Sequence, residues 1–343
     1  MTPVDLDRRV VDRVHLASLP GVVERLLQQC HDLGGPLLTG IRRTAEAVVA
    51  DMDGPLRPLA ALRMYAAFGI VLGDDPVATL QQSQEAGVLS ALALERPLRF
   101  RVGALAGRRE LTDRLATGLG WANDPRDYDV NVEQADRDLV AQVGPLFRSR
   151  RFPAMARMPA SANPVLAAMV VALAKVRPAD VVLDPFCGAA TMLVETAASG
   201  VDAALVGSDV DPAALAAATA NLPLIPGGRL VRADAARLPV ADGAVDRVVT
   251  NMPFGKRVGS HGTNLTLYPG FVAELGRVLR TDGRAVLMTE EKTLLGRSVE
   301  ATRGLRMVRE VKLATPGGEL HPSAFVVERT RAAVRRAARG SRR

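Results

Sequence analysis

Residues Asn251-Met252-Pro253-Phe254 stand directly behind the apolar run Val245-Asp246-Arg247-Val248-Val249, which reads as a buried strand. A turn after a strand needs only Pro253 and Gly255. An amide and an aromatic ring added to them suit a flat, amine-bearing ligand. An aryl amine is a weak nucleophile because its lone pair is delocalised into the ring. The Asn251 side-chain oxygen and the Met252 carbonyl could accept its two hydrogens and turn the lone pair outward. Asn is neutral and takes no proton at pH 7, so such a site works by positioning and electrostatics. Pro253 fixes φ and holds the loop. Phe254 can stack on a base, worth about 1–3 kcal/mol in single-stranded nucleic-acid sites. Gly255, Lys256 and Arg257 follow as candidate substrate contacts, the last two for phosphate or simply for solvent. The bland reading of the same residues is a β-turn with a buried Phe.

A second constellation lies upstream. Asp184-Pro185-Phe186-Cys187-Gly188-Ala189-Ala190-Thr191 follows a short apolar run, and Asp209 and Asp234 end two later ones. Loops at the carboxyl ends of parallel strands are where such sheets bind ligands. Carboxylates accept hydrogen bonds from amines and hydroxyls and repel phosphate. Three of them argue against a nucleoside triphosphate and for S-adenosylmethionine, which is cationic and carries no phosphate. Asp184 would face the amino-acid and sulfonium end, Asp209 the ribose hydroxyls and Asp234 the adenine amine. Any one Asp alone is as well explained as a strand-end cap. An NAD site would want G-x-G-x-x-G around the pyrophosphate, and the Gly188 loop lacks it.

The elements that must position these residues alternate in the C-terminal half. Strands are expected at 181–184, 204–209, 229–234, 245–250 and 284–289, with helices at 191–199, 212–221 and 271–279. That alternation gives a doubly wound, mostly parallel sheet. The Phe325-Val326-Val327 run adds a last, antiparallel strand. The N-terminal half reads as α+β. A helix runs through Cys30 to Leu33-Gly34-Gly35, a second helical pattern covers Leu59 to Leu72, and a third covers Arg109 to Leu119. Leu98 to Val102 alternates as a half-exposed strand, and Asp129–Val132 and Leu139–Val143 look like a strand pair.

Composition bounds the rest. The chain of 343 residues is 48% hydrophobic, enough for two or three domains. No apolar run suggests a membrane span, and the N-terminus lacks the apolar core of a signal peptide. Cys30 and Cys187 are the only cysteines; two lone thiols fit a reducing cytoplasm and build no metal set. The net charge of +7 lies in the last fifteen residues, which carry seven Arg and no acid, leaving basic and acidic residues balanced elsewhere. That tail suits phosphate or a solvated helix end. Trp121 suits a core or an RNA platform.

The loop at Asp184–Thr191, Gly207-Ser208-Asp209-Val210-Asp211 and Asn251–Gly255 resembles the class I methyltransferases that modify exocyclic amines. The longer run from Asn251 to Ser260, with Asn264-Leu265 and Leu267-Tyr268-Pro269, resembles the THUMP-domain tRNA (guanine-N2)-methyltransferases, in particular the branch acting at guanosine 6 of the acceptor stem. The resemblance implies an α/β chain: a Rossmann-like class I methyltransferase domain over 151–330, preceded by a ferredoxin-like domain over 1–70 and a THUMP-like RNA-binding domain over 71–150, with an Arg-rich tail at 331–343. It implies S-adenosylmethionine as cofactor, tRNA as partner, neither membrane nor metal, and a cytoplasmic monomer or weak dimer. Candidate cofactor contacts are Asp184, Pro185, Phe186, Cys187, Gly188, Thr191, Asp209, Val210, Asp234, Ala235 and Asn251, with Asn163 and Pro164, which lie near the cofactor in relatives. The catalytic set is Asn251, Met252, Pro253 and Phe254. One departure is Ala190, where the family motif has a third glycine. Two alternatives stay open: a small-molecule amine methyltransferase with the same fold and motif, and a non-catalytic RNA-binding protein with a vestigial pocket.

Overall fold

A computed structural model describes residues 3–33, 35–147, 155–159, 161–254, 261–315 and 320–330. The chain divides into two compact units, Met1–Pro153 and Ala154–Arg343.

The N-terminal unit is built on one sheet. In chain order its elements are β1 (Arg9–Ala17), α1 (Val23–Leu33), β2 (Leu38–Arg43), β3 (Ala47–Pro55), α2 (Arg57–Ala61), β4 (Ala67–Leu72), α3 (Pro76–Ala86), β5 (Arg99–Val102), α4 (Arg108–Leu119), β6 (Ala122–Asn123), β7 (Val130–Ala135) and β8 (Asp138–Val143). The strand order among the described residues is β2-β3-β1-β4-β8-β7-β5-β6. The β4–β8 pairing, Gly69 opposite Gln142 through Leu72 opposite Leu139, joins the two halves of this unit into one ladder. A boundary at residue 70 would therefore cut through β4. The helix expected over Leu59–Leu72 is corrected: only Arg57–Ala61 is helical, and Ala67–Leu72 is a strand buried along most of its length. A short apolar run buried on both faces carries no period to separate the two, and Ile70 and Val71 favour the strand. Gly69 is also packed too closely for a helix-forming side chain, since a Cβ there would lie 2.5 Å from Val140 Cγ1. Trp121 is core, 4% exposed and tilted against Phe100 with ring centroids 6.1 Å apart.

The C-terminal unit follows the expected alternation: α5 (Pro164–Ala174), β9 (Val181–Asp184), α6 (Thr191–Ala197), β10 (Ala204–Asp209), α7 (Pro212–Asn221), β11 (Arg229–Arg232), β12 (Val245–Asn251), α8 (His261–Val278), β13 (Leu279–Thr289), α9 (Lys292–Ala301), β14 (Leu305–Lys312) and β15 (Ser323–Arg329). The sheet order is β11-β10-β9-β12-β13-β15-β14. The first five strands are parallel, and β15 slots between β13 and β14, antiparallel to both. α8 begins ten residues earlier than the sequence pattern indicates.

The central strands are apolar on both faces, as a covered parallel sheet requires. On one face Val248, Ala285 and Leu287 pack with Phe271, Leu275 and Leu295 from α8 and α9. Val249 and Val286 alternate to the other face and are equally buried. Phe271 also meets Phe186 edge to face, centroids 5.0 Å apart, so the core extends under the loop after β9. Phe271→Ala should destabilise the C-terminal unit by about 3–5 kcal/mol, as other large-to-small core substitutions do. Urea unfolding followed in that unit checks this; a loss well under about 1 kcal/mol would mean that the face repacks.

Candidate active site

Strands β11, β10, β9 and β12 lie side by side and open their carboxyl ends on one edge. In the β9–β10 register Asp184 faces Gly207, and in the β10–β11 register Asp209 faces Arg232. Each acid therefore sits two residues beyond its neighbour's partner. A two-residue step keeps side chains on one face and advances roughly 6–7 Å. Asp184, Asp209 and Asp234 thus form a staircase rather than a ring. Asp234 lies two residues past β11, in a turn where its carboxylate accepts from the Ala236 N–H at 2.9 Å. Asp209 accepts from the Gly188 N–H at 2.9 Å and the Asp211 N–H at 3.0 Å, which ties the loop after β9 to the end of β10.

That loop is held in the left-handed region at Gly188 (φ 51°) and again at Ala190 (φ 64°). Only glycine takes this conformation without a Cβ clash, so Ala190 carries a strain on the order of 1–2 kcal/mol. The position where the family motif has glycine is thus a conformational requirement that this chain meets at a cost. Asn221 helps hold it: its amide donates to Ala189 O at 2.7 Å and Ala156 O at 2.9 Å and accepts from the Ala156 N–H at 2.8 Å.

Asp184 is 1% exposed. The Thr250 hydroxyl donates to it at 2.6 Å and the Phe186 N–H at 3.2 Å. Burial pushes its carboxyl up to about 7; those two hydrogen bonds oppose the shift, and the charge of Asp209 adds to it. The Cys187 thiol is raised as well, by burial and then by Asp184 and Asp209, which disfavours the thiolate.

The Asn251–Phe254 segment leaves β12 next to Asp184. Asn251 pairs with Met288 of β13, and the Met252 N–H donates to Met288 O at 3.0 Å. The Pro253 carbonyl is held twice from α8: by Tyr268 Oη at 2.9 Å and by Asn264 Nδ2 at 3.1 Å. Tyr268 is fully buried and also lies 2.6 Å from Thr289 Oγ1. Since the Tyr268 hydroxyl donates to Pro253, Thr289 donates to Tyr268.

A cavity of about 490 Å³ joins the staircase to this segment. The sequence-assigned residues Asp184, Pro185, Phe186, Cys187, Gly188, Thr191, Asp209, Val210, Asp234, Ala235 and Asn163 line it, as do Asn251, Met252, Pro253 and Phe254. Pro164 is not among the lining residues; it is buried as the first residue of α5. Asn163 faces the cavity while its oxygen caps α5, accepting from Val165 N–H at 2.8 Å. Gly255, Lys256, Arg257 and the 331–343 tail lie outside the described residues. Thr250, Asn264 and Tyr268 were not assigned from sequence. The four-residue spacing of Asn264 and Tyr268, which puts both on one helix face, was the signal available.

The donor set fits a cationic, phosphate-free cofactor. Four aspartates, 184, 209, 211 and 234, line the cavity, and among the described residues no Lys or Arg does. Thr191 lines the same cavity, and its Oγ1 is buried without a hydrogen-bond partner among the described residues. No cluster of three or more His, Cys, Asp or Glu among the described residues could hold a metal, and no described helix is long and apolar enough to cross a membrane.

Residues 151–319 match a family model described as UPF0020, RMKL-like, methyltransferase domain. The chain is 29% identical over 229 residues to the tRNA (guanine(6)-N(2))-methyltransferase THUMP3 of Bos taurus, covering 61% of this chain and 45% of that protein. It is 35% identical over 207 residues to the tRNA (guanine(6)-N2)-methyltransferase of Thermus thermophilus, covering 59% of each. The chain thus spans about half the length of these relatives. The crystal structure of TrmN from Thermus thermophilus superposes with a TM-score of 0.72 at 26% identity, covering 92% of this chain and 99% of that one. The C-terminal unit has the class I methyltransferase fold, and the cofactor of that class is S-adenosylmethionine.

The raised Asp184 carboxyl has a consequence for stability. From its ordinary 3.8 to about 7, the native state keeps a proton that the unfolded chain has released. This group's contribution therefore falls as pH rises through that window and levels off above it. Asp184→Asn removes the titration. Without cofactor, the unfolding midpoint of the wild type should drop relative to the variant between about pH 4.5 and about pH 7.5. Parallel midpoints would mean that the carboxyl is ionised throughout.

Proposed function

We propose that this protein is an S-adenosylmethionine-dependent RNA methyltransferase acting on the exocyclic N2 amine of guanine in tRNA, at position 6 of the acceptor stem. The observation that carries it is the juxtaposition of the Asn251–Phe254 segment with a cavity lined by aspartates. The activities named for the two relatives support the guanine amine, tRNA and position 6. The Arg-rich tail and Lys256 and Arg257 supply charge suited to phosphate.

The cofactor, when bound, supplies an electrophilic methyl group on a sulfonium. The chain's residues do the rest. Asp209 takes the ribose hydroxyls, Asp234 the adenine amine, and Asp184 the cationic end. Asn251 Oδ1 and the Met252 carbonyl accept the two hydrogens of the guanine amine, turning its lone pair toward the methyl group. The Pro253 carbonyl does not compete for the amine, because α8 already occupies it. Phe254 stacks on the base. A base paired in a stem must first be flipped out, at a cost of a few kcal/mol. No strong base would be needed: the amine nitrogen would become acidic only as the N–C bond forms and the cofactor's S–C bond breaks to leave a neutral thioether, and its proton would then pass to solvent. The N-terminal unit measures the distance from the RNA's recognised end to the target base.

Incubating the full chain with labelled cofactor and bulk tRNA, then digesting to nucleosides, should give N2-methylguanosine. Fragment mapping should put it at position 6. Transfer to a small amine with none to tRNA would favour a small-molecule methyltransferase, and cofactor binding without any transfer a vestigial pocket.

Two substitutions divide the roles. Asp209→Ala should weaken cofactor binding by about 1.5–3 kcal/mol, the range for a hydrogen bond to a charged group, as read by calorimetry. Asn251→Ala should leave cofactor affinity nearly unchanged and lower kcat by about 10²–10³, the scale of losing one transition-state contact. Near-normal turnover at saturating RNA would remove Asn251 from the chemistry.

A further inference from the structure

We infer that Asn264 is the residue that tells guanine from an adenine-like base, by accepting a hydrogen bond from the ring N1–H; the inference rests on the guanine-N2 function proposed above. Asn264 is fully buried in the first turn of α8 and lines the cavity beside Pro253 and Phe254. Its Nδ2 donates to Pro253 O at 3.1 Å. A carbonyl only accepts, so this bond fixes which end of the amide is which. Oδ1 is therefore an acceptor of known identity. It is buried and has no hydrogen-bond partner among the described residues.

A buried acceptor left unmatched is costly, and such groups in folded proteins call for a partner. Here the residue lines the cavity together with the segment proposed to grip an amine. The two purines differ at this point. Guanine presents its N2 amine and its N1–H as adjacent donors. Adenine presents its N6 amine next to an N1 lone pair. Asn251 and Met252 grip an amine of either kind, so the segment by itself does not choose between them. A third acceptor meeting N1 would be matched by the guanine N1–H and opposed by the adenine lone pair. Sites built to hydrogen-bond one group reject analogues that lack it, because their own buried polar atoms go unpaired.

Asn264 thus has two separable tasks. Its nitrogen shares the clamping of the Pro253 carbonyl with Tyr268, which is a positioning role. Its oxygen reads the base, which is a specificity role. Tyr268 performs only the first.

The test uses the full chain and a tRNA ligated to carry either guanine or 2-aminopurine at the position that the wild type methylates in bulk tRNA. 2-Aminopurine keeps the exocyclic amine but has a lone pair at N1. The wild type should prefer guanine in kcat/KM. Asn264→Leu should reduce that preference by about 10–100-fold, the scale for losing a base-reading hydrogen bond. Tyr268→Phe should lower transfer to both substrates by the same factor and keep the preference. Cofactor affinity by calorimetry reports whether each variant is folded. If Asn264→Leu is inactive on both substrates, Asn264→Ser, with a shorter hydroxyl side chain, serves for the ratio. A guanine preference retained in the Asn264 variants would overturn the inference while leaving the guanine-N2 function standing. Wild-type transfer to neither substrate, nor to bulk tRNA, would overturn both.

Discussion

The hydrogen bond from Thr250 to Asp184 joins the two central strands of the C-terminal sheet where both functional loops leave it. β9 and β12 are neighbours, and their paired stretch is short: Arg247 with Val182 and Val248 with Leu183. Beyond it the strands part, and the 2.6 Å contact between Thr250 Oγ1 and the carboxylate continues the link. The loop after β9 and the segment after β12 then open from one fixed point into one cavity. A carboxylate this deep is expensive to ionise. The Thr250 and Phe186 donors are the compensation that the fold supplies, and a bound cation would add more. The same burial that fixes the geometry sets the titration of the group.

Helix α8 is the second support, and it acts on both loops. Phe271 packs edge to face against Phe186 in the loop after β9. One and two turns earlier, Tyr268 and Asn264 hold the Pro253 carbonyl. A displacement of α8 would therefore move both sides of the cavity together. Such coupling suits a reaction governed by alignment, where small misplacements of the reacting atoms are costly. It also commits one carbonyl of the Asn251–Phe254 segment, that of Pro253, to the scaffold.

The two units were not equally legible. In the C-terminal unit the strands are apolar runs separated by helical patterns, with Pro212 in the first helical turn of α7, and the helix over Pro212–Asn221 has the expected bounds. In the N-terminal unit the sheet mixes parallel and antiparallel pairs. β1 and β3 pair over nine residues, and Ala67–Leu72, an apolar run buried on both faces, has no period of its own to separate strand from helix. Asp234 shows a smaller limit: it lies two residues past β11, since only the turn at Ala236 decides where the ladder stops.

The sequence by itself determined the chemistry on offer: aspartates after successive strands, a polar-aromatic segment after another, a parallel sheet to bring them to one edge. These are local facts, set by residue type and by the direction in which a parallel strand must run. What only the tertiary structure decided is which of those atoms are already spoken for. Whether the Pro253 carbonyl is bonded, whether the Asn264 oxygen is not, and whether Asp184 is dry depend on side chains many residues away packing at close range. Hydrogen bonding and burial depend on distances of a few ångströms between such residues, and no spacing along the chain encodes them.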